Sequence, residues 1–157
     1  MCTVDILQIA REPVWLIQCN TSIPAGFPSP AEDEAGELVD LNKILLPHPL
    51  HTFLARVNGT SMDGPPSHIV DGALLAVDCA LKPQVGQVVV AAVEGEFTLK
   101  RLAKRGATYW LEPDNPAHQA IEIRGKEHVK VWGVVTHVVT ELINGKLHAD
   151  VRARRLQ

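Results

Sequence analysis

The chain has 157 residues, 46% of them hydrophobic and 21% charged, and a formal net charge of −3. That is ordinary globular composition, enough for one domain with a real core. The near-neutral charge excludes the basic footprint of a direct DNA binder, because arginines cluster only at Arg152, Arg154 and Arg155 near the end. Cys2, Cys19 and Cys79 are scattered, with neither CxxC spacing nor an even count, so unpaired thiols in a reducing compartment are expected, with Cys79 a small packing residue. No basic leader or run of ~18 apolar residues is present, which points to a cytoplasmic protein without a membrane anchor.

Val14 to Gln18 reads as a short strand in an N-terminal arm. From Ser22 to Gly36 the chain holds three prolines, two glycines and three acids, the composition of an extended, accessible linker. Asp40 can then cap a brief helix with Leu41, Ile44 and Leu45 at helical spacing, stopped by Pro47. Strands are expected over Phe53 to Val57, Ala73 to Asp78, Gln87 to Val93, Glu96 to Leu102, Thr108 to Leu111, Gln119 to Ile123 and Val129 to Leu142. Turn signals separate them: Asp71-Gly72, Lys82-Pro83, Glu94-Gly95, Arg105-Gly106 and Asn115-Pro116. Seven short strands and one helix describe a mainly β domain. The apolar runs Val88 to Val93 and Val134 to Val139 suggest strands covered on both faces, as in a folded-over sheet.

Two residues carry chemistry. Ser61 follows Gly59-Thr60 at the head of the loop Asp63 to Gly72, where its hydroxyl can be exposed and nearby backbone N–H groups, those of Ser61 and Met62, can form an oxyanion hole. Lys100 lies in the strand Glu96 to Leu102, where alternation puts Thr98, Lys100 and Leu102 on one face and Phe97, Leu99 and Arg101 on the other. Both faces carry apolar groups, so Lys100 either snorkels to water or lies desolvated beside a partner. Desolvation favours the neutral amine, a general base able to activate a serine. Taken alone, the serine is equally a polar turn residue and the lysine an edge residue with its head in water; together they suggest serine/lysine acyl transfer. The seven histidines, His48, His51, His68, His118, His128, His137 and His148, lack any metal-ligand spacing, so no metal or cofactor is expected, and His137 reads as a packed neutral residue.

Val57 to Met62, Val70 to Asp78, Val88 to Val93, Glu94 to Leu102 and Val131 to Val138 together resemble the LexA/UmuD self-cleaving serine peptidases, over about residues 24 to 142. The resemblance implies a LexA/signal-peptidase-like folded β-sheet domain at 37–142. Ahead of it would lie an arm at 1–25 that is removed and a linker at 26–36; behind it, a polar tail at 143–157. Ala25-Gly26-Phe27-Pro28-Ser29-Pro30-Ala31 resembles the self-cleavage segment of the UmuD branch, which implies scission between Ala25 and Gly26, with Ser61 as nucleophile and Lys100 as base. It further implies stimulation by the RecA/single-stranded DNA filament, a processed homodimer, and union with a Y-family, UmuC-like polymerase subunit for translesion synthesis in the SOS response. DNA association would be indirect, without sequence-specific contacts. Only 25 residues precede the bond, too few for a repressor's DNA-binding domain. A LexA-like repressor fragment and a non-catalytic polymerase-binding module of the same fold remain as alternatives, and a signal peptidase would call for a membrane anchor. The loop after Ser61 departs from the family pattern by about two residues, with Pro65 and Pro66 inside it.

Overall fold

The computed structural model describes residues 3–7, 12–18, 25, 36–125 and 128–142, the first of these segments as backbone alone. Gly26, most of the 26–36 linker and the 143–157 tail lie outside the described residues, as do Cys2 and Cys19. Ten strands run in chain order: β1 Thr3–Leu7, β2 Trp15–Gln18, β3 Glu37–Asp40, β4 Thr52–Asn58, β5 Leu74–Asp78, β6 Val88–Val93, β7 Glu96–Arg105, β8 Thr108–Glu112, β9 Ile121–Glu122 and β10 Val129–Val139. The single helix among the described residues, α1 Leu41–Leu45, separates β3 from β4.

Eight strands form one antiparallel sheet in the order β1-β4-β5-β10-β6-β7-β8-β9, and β2 pairs with β3 in a separate two-stranded sheet. The protein is therefore mainly β. Its large sheet folds at β10, which changes partner along its length. Val129 to Val134 pair with β6, Val134 to Val139 pair with β5, and the register slips between Val131 and Gly133 and again between Val135 and His137. Bulges of this kind bend a strand and add twist, so one sheet can cover both sides of a core.

Two apolar clusters result. Ala55, Val57, Met62, Ile69, Leu75, Val77, Val90 and Leu99 fill one, and Val89, Ala91, Leu102, Leu111 and Val134 the other. Consecutive residues of β6 point into different clusters, which is why Val88 to Val93 reads as an unbroken apolar run. The run Val134 to Val139 does not behave the same way. Past Val134 the strand rises to the surface, and Val138 and Val139 are exposed. The near-continuous apolar run suggests cover on both faces; past the second bulge β10 pairs with β5 and its last residues are exposed.

The helix forms where expected, with Asp40 accepting the N–H of Asn42 at 3.0 Å. Two strands, β1 and β3, lie outside those read from sequence. Thr3 to Leu7 pair with β4 at the edge of the main sheet, and Glu37 to Asp40 pair with Trp15 to Gln18. The expected strand at Gln119 to Ile123 shortens to Ile121–Glu122. Between β6 and β7 the turn Glu94-Gly95 has φ of 51° and 88°, as a two-residue hairpin requires, and this hairpin carries Lys100 into the core.

Gly133 sits at the fold in β10. A Cβ there would meet Val77 Cγ1 at 2.7 Å, Cys79 Sγ at 3.1 Å and the Asp78 carbonyl oxygen at 3.2 Å. Gly133→Ala is expected to destabilise the protein by about 1 to 3 kcal/mol, the usual cost of overpacking. A thermal melt should show the midpoint falling by about 2 to 4 °C per kcal/mol. An unchanged midpoint would mean that β5 and β10 part without strain.

Candidate active site

The serine turn begins where β4 ends. Gly59, at φ 114°, takes a backbone conformation that side chains disfavour, and its N–H donates to Asp71 Oδ1 at 2.7 Å. Met62 follows, buried in the core, with its carbonyl accepting the N–H of Ile69 at 2.9 Å. Ser61 is thus fixed between a glycine hinge and a core side chain, 3% exposed.

Lys100 enters from β7, where it pairs with Val89 of β6 and is 5% exposed. Its amine does not snorkel. Nζ donates to Ser61 Oγ at 2.9 Å, to Thr98 Oγ1 at 3.0 Å and to the Leu99 carbonyl at 3.0 Å. Ser61 Oγ in turn lies 3.4 Å from the Leu99 carbonyl, to which it can donate. A neutral amine has two N–H donors and one lone pair. In that form Leu99 O and Thr98 Oγ1 can take the donors while the lone pair faces the Ser61 hydroxyl. The geometry therefore suits proton transfer from serine to lysine. Thr98 was not singled out from sequence, although its place two residues before Lys100 on the same strand face was the signal for it.

The other side of the serine turn is held by residues 113–118. Asn115 donates its backbone N–H to Ser61 O at 3.1 Å and its Nδ2–H to Thr60 O at 2.9 Å. Thr60 Oγ1 shares a hydrogen bond with His118 Nε2 at 3.1 Å. Asp114 receives both Arg101 Nε at 2.8 Å and Arg101 Nη2 at 2.6 Å, together with the hydroxyl and N–H of Ser67. Burial pushes the Asp114 carboxyl up, but the bonds from Arg101 and Ser67 outweigh it and hold the group below the usual carboxylate range, while Asp114 raises Arg101. A Cβ on Gly64 would lie 2.5 Å from the Asp114 carbonyl oxygen, so the two loops pack backbone to backbone. The loop that contains Pro65 and Pro66 is thereby pinned at both Gly64 and Ser67. Asn115 reads from sequence only as a turn residue and Asp114 is not singled out, since nothing local announces a partner some fifty positions earlier.

The backbone N–H groups of Ser61 and Met62 make no hydrogen bond among the described residues. Ala25 lies in an exposed bend, and residues 19–36, which contain it, are bracketed by the paired strands β2 and β3. Away from the serine, His48 Nδ1 meets the buried Asp78 Oδ2 at 2.6 Å. Cys79 is a free thiol, its pKa pushed up by burial and by Asp78, as suits a packing residue more than a nucleophile. His137 is half-buried beside Thr136. Among the described residues no group of three or more His, Cys, Asp or Glu side chains could hold a metal ion, and no helix is long and apolar enough to cross a membrane.

Comparison with known proteins bears on the same region. The family described as Peptidase S24-like matches residues 16–136, which include most of β2, the serine turn, Lys100 and the Asn115 loop. The chain is 44% identical to Protein ImpA of Salmonella typhimurium over 129 residues, covering 81% of this chain and 82% of that protein. It is 37% identical to Protein MucA of Salmonella typhimurium over 130 residues, 76% of this chain and 80% of the relative. The LexA repressor of Pseudomonas chlororaphis is 38% identical over 105 residues, 67% of this chain but only 50% of the repressor.

Proposed function

Because the chain belongs to the Peptidase S24-like family, we propose that it is a self-cleaving serine peptidase in which Ser61 attacks the carbonyl of Ala25 with Lys100 as its base. The observation that carries this reading is the buried lysine amine 2.9 Å from the serine oxygen. Withdrawal from water disfavours the ammonium form and so favours the amine as a base.

In the first step the Ser61 hydroxyl gives its proton to Lys100 Nζ as Oγ bonds to the Ala25 carbonyl carbon. The oxyanion that forms is received by the N–H groups of Ser61 and Met62, donors worth roughly 3 to 4 kcal/mol each in such sites. Collapse breaks the Ala25–Gly26 bond, the Lys100 ammonium returns its proton to the departing Gly26 amine, and Ala25 remains as an ester on Ser61. Water, deprotonated by the again neutral Lys100, hydrolyses that ester and restores both side chains. Small residues on each side of the bond let an extended segment approach a recessed serine.

The relatives ImpA and MucA and the exposed Ala25 support a cytoplasmic mutagenesis factor of the SOS response. In this reading the RecA/single-stranded DNA filament stimulates cleavage. The product beginning at Gly26 forms a dimer and joins a Y-family polymerase subunit for translesion synthesis. The test is the N-terminal sequence of the fragment formed by purified protein at pH 10 and, separately, with activated RecA. A start at Gly26 is expected. A start elsewhere overturns the bond assignment, and an intact chain under both conditions favours a non-catalytic polymerase-binding module.

A further inference from the structure

Two consecutive carbonyls of the serine turn are held by one residue, Asn115. Its backbone N–H bonds Ser61 O at 3.1 Å and its side-chain amide bonds Thr60 O at 2.9 Å. Asn115 is itself fixed, since the N–H of Ala117 donates to its Oδ1 at 3.0 Å and the N–H of His118 to its carbonyl at 3.1 Å. Thr60 O has a second donor, the N–H of Asp63 at 3.1 Å, whereas the Ser61 carbonyl is bonded by Asn115 alone among the described residues.

A trans peptide is planar, with its C=O and N–H pointing in opposite directions. The peptides Thr60–Ser61 and Ser61–Met62 are both trans, the one cis bond among the described residues being Pro65–Pro66. The Thr60 carbonyl therefore shares a plane with the Ser61 N–H, and the Ser61 carbonyl with the Met62 N–H. Turning both carbonyls towards Asn115 turns both N–H groups away from the 113–118 loop. Neither N–H bonds any described residue, so both keep a donor for an incoming oxygen.

We propose that Asn115 is a positioning residue for the oxyanion site, setting the N–H groups of Ser61 and Met62 through the carbonyls behind them. This rests on the reading of Ser61 as nucleophile. Asn115 touches neither the reacting bond nor Lys100. Its effect falls on the rate at which the tetrahedral species forms, not on the protonation of the base.

Two substitutions test it in the full chain. Asn115→Ala removes the amide that holds Thr60 O. Asn115→Asp keeps an oxygen for the Ala117 N–H but sets a second acceptor against Thr60 O. First-order self-cleavage rates are measured across neutral to alkaline pH, well below each variant's melting midpoint so that loss of fold is separated from loss of rate. The plateau rate should fall on the order of 10-fold for Asn115→Ala and further for Asn115→Asp, as expected when donors are misaimed. The midpoint of the pH–rate profile should stay at the parent's value. Arg124→Ala, at the surface beside Glu122, touches neither carbonyl nor the serine turn, and it should cleave at the parental rate. Parental plateaus in both Asn115 variants overturn the proposal, as does an equal loss in Arg124→Ala or a shifted midpoint with an unchanged plateau. A parent chain that does not cleave at any pH overturns the serine reading itself, a different result from a cleaving parent beside unaffected Asn115 variants.

Discussion

Ser61→Ala is expected to leave the chain at full length after alkaline incubation that converts the parent to its fragment, a loss of at least about 10⁴-fold, as follows when the nucleophile of an acyl transfer is removed. Lys100→Ala should lose as much, because among the described residues the Ser61 hydroxyl otherwise meets only the Leu99 carbonyl, which is no base. Lys100→Arg is the sharper variant. A guanidinium keeps the positive charge but has no lone pair at any accessible pH, so it cannot take a proton. If Lys100 acts as a base, the arginine variant is as inactive as the alanine variant. If Lys100 only supplies charge to a developing oxyanion, the arginine variant retains measurable cleavage and the base assignment fails. The parent rate should rise with pH as the neutral fraction of the amine grows and level off once it is complete. Gel mobility and mass of the product read all four chains in one experiment.

Much of the fold that carries this chemistry is legible in the chain because it is local. The Glu94-Gly95 turn fixes the β6–β7 hairpin, and strand alternation puts Thr98 beside Lys100 without reference to any distant residue. Less local features are hidden for a physical reason. Leu38 and Val39 have no periodic context, and β3 exists only because β2 lies ready to pair with it across residues 19–36. Thr3 to Leu7 form a strand because β4 offers them an edge. The change of partner along β10 depends on two bulges, and nothing in Val134 to Val139 distinguishes a strand end that surfaces from one that stays buried. The site divides in the same way. Ser61 and Lys100 can be paired from sequence only by what they would do together. Asn115 is a turn residue until the serine turn is folded against it, since backbone donors and acceptors carry no side-chain signature.

The exposed ribbon β2–β3 has the same dependence on distant partners. Trp15, Leu16 and Leu38 are exposed, and Ile17 is 71% exposed, although all four would favour burial. A two-stranded ribbon is marginal on its own. Polar bonds close its open end: Asp40 Oδ1 takes the N–H of Val14 at 3.2 Å as well as that of Asn42, and Asn42 Nδ2 donates to the Glu12 carbonyl at 2.7 Å. Ala25, the residue read as the site of cleavage, is itself exposed and lies in the connection between the two strands of this ribbon.

Asp114→Ala should produce the largest loss of stability among these substitutions. The side chain is 4% exposed and Arg101 22%, and removal strands the guanidinium with one remaining acceptor, Gly86 O at 2.6 Å, while the Ser67 hydroxyl and N–H lose theirs. Breaking a buried pair from one side costs about 3 to 5 kcal/mol, a large share of the roughly 5 to 15 kcal/mol that holds a domain folded. The melting midpoint should drop by about 6 to 20 °C at 2 to 4 °C per kcal/mol. Asp114→Asn keeps the shape and an acceptor for Ser67 and should cost less. The pH dependence has a definite sign. The folded carboxyl titrates below its ordinary value, so its contribution is fully present above the unfolded pKa of about 3.9 and disappears as pH falls through the lower folded value. Parent and Asp114→Asn stabilities should therefore converge only in acid, and a gap that stays constant from neutral pH down through that window would show that the charge of Asp114 contributes nothing. At alkaline pH the carboxylate stays ionised, so a rate loss in Asp114→Ala there reports its mechanical role. By holding Arg101, Ser67 and the backbone against Gly64, Asp114 keeps Asn115 where it can reach the carbonyls of Thr60 and Ser61.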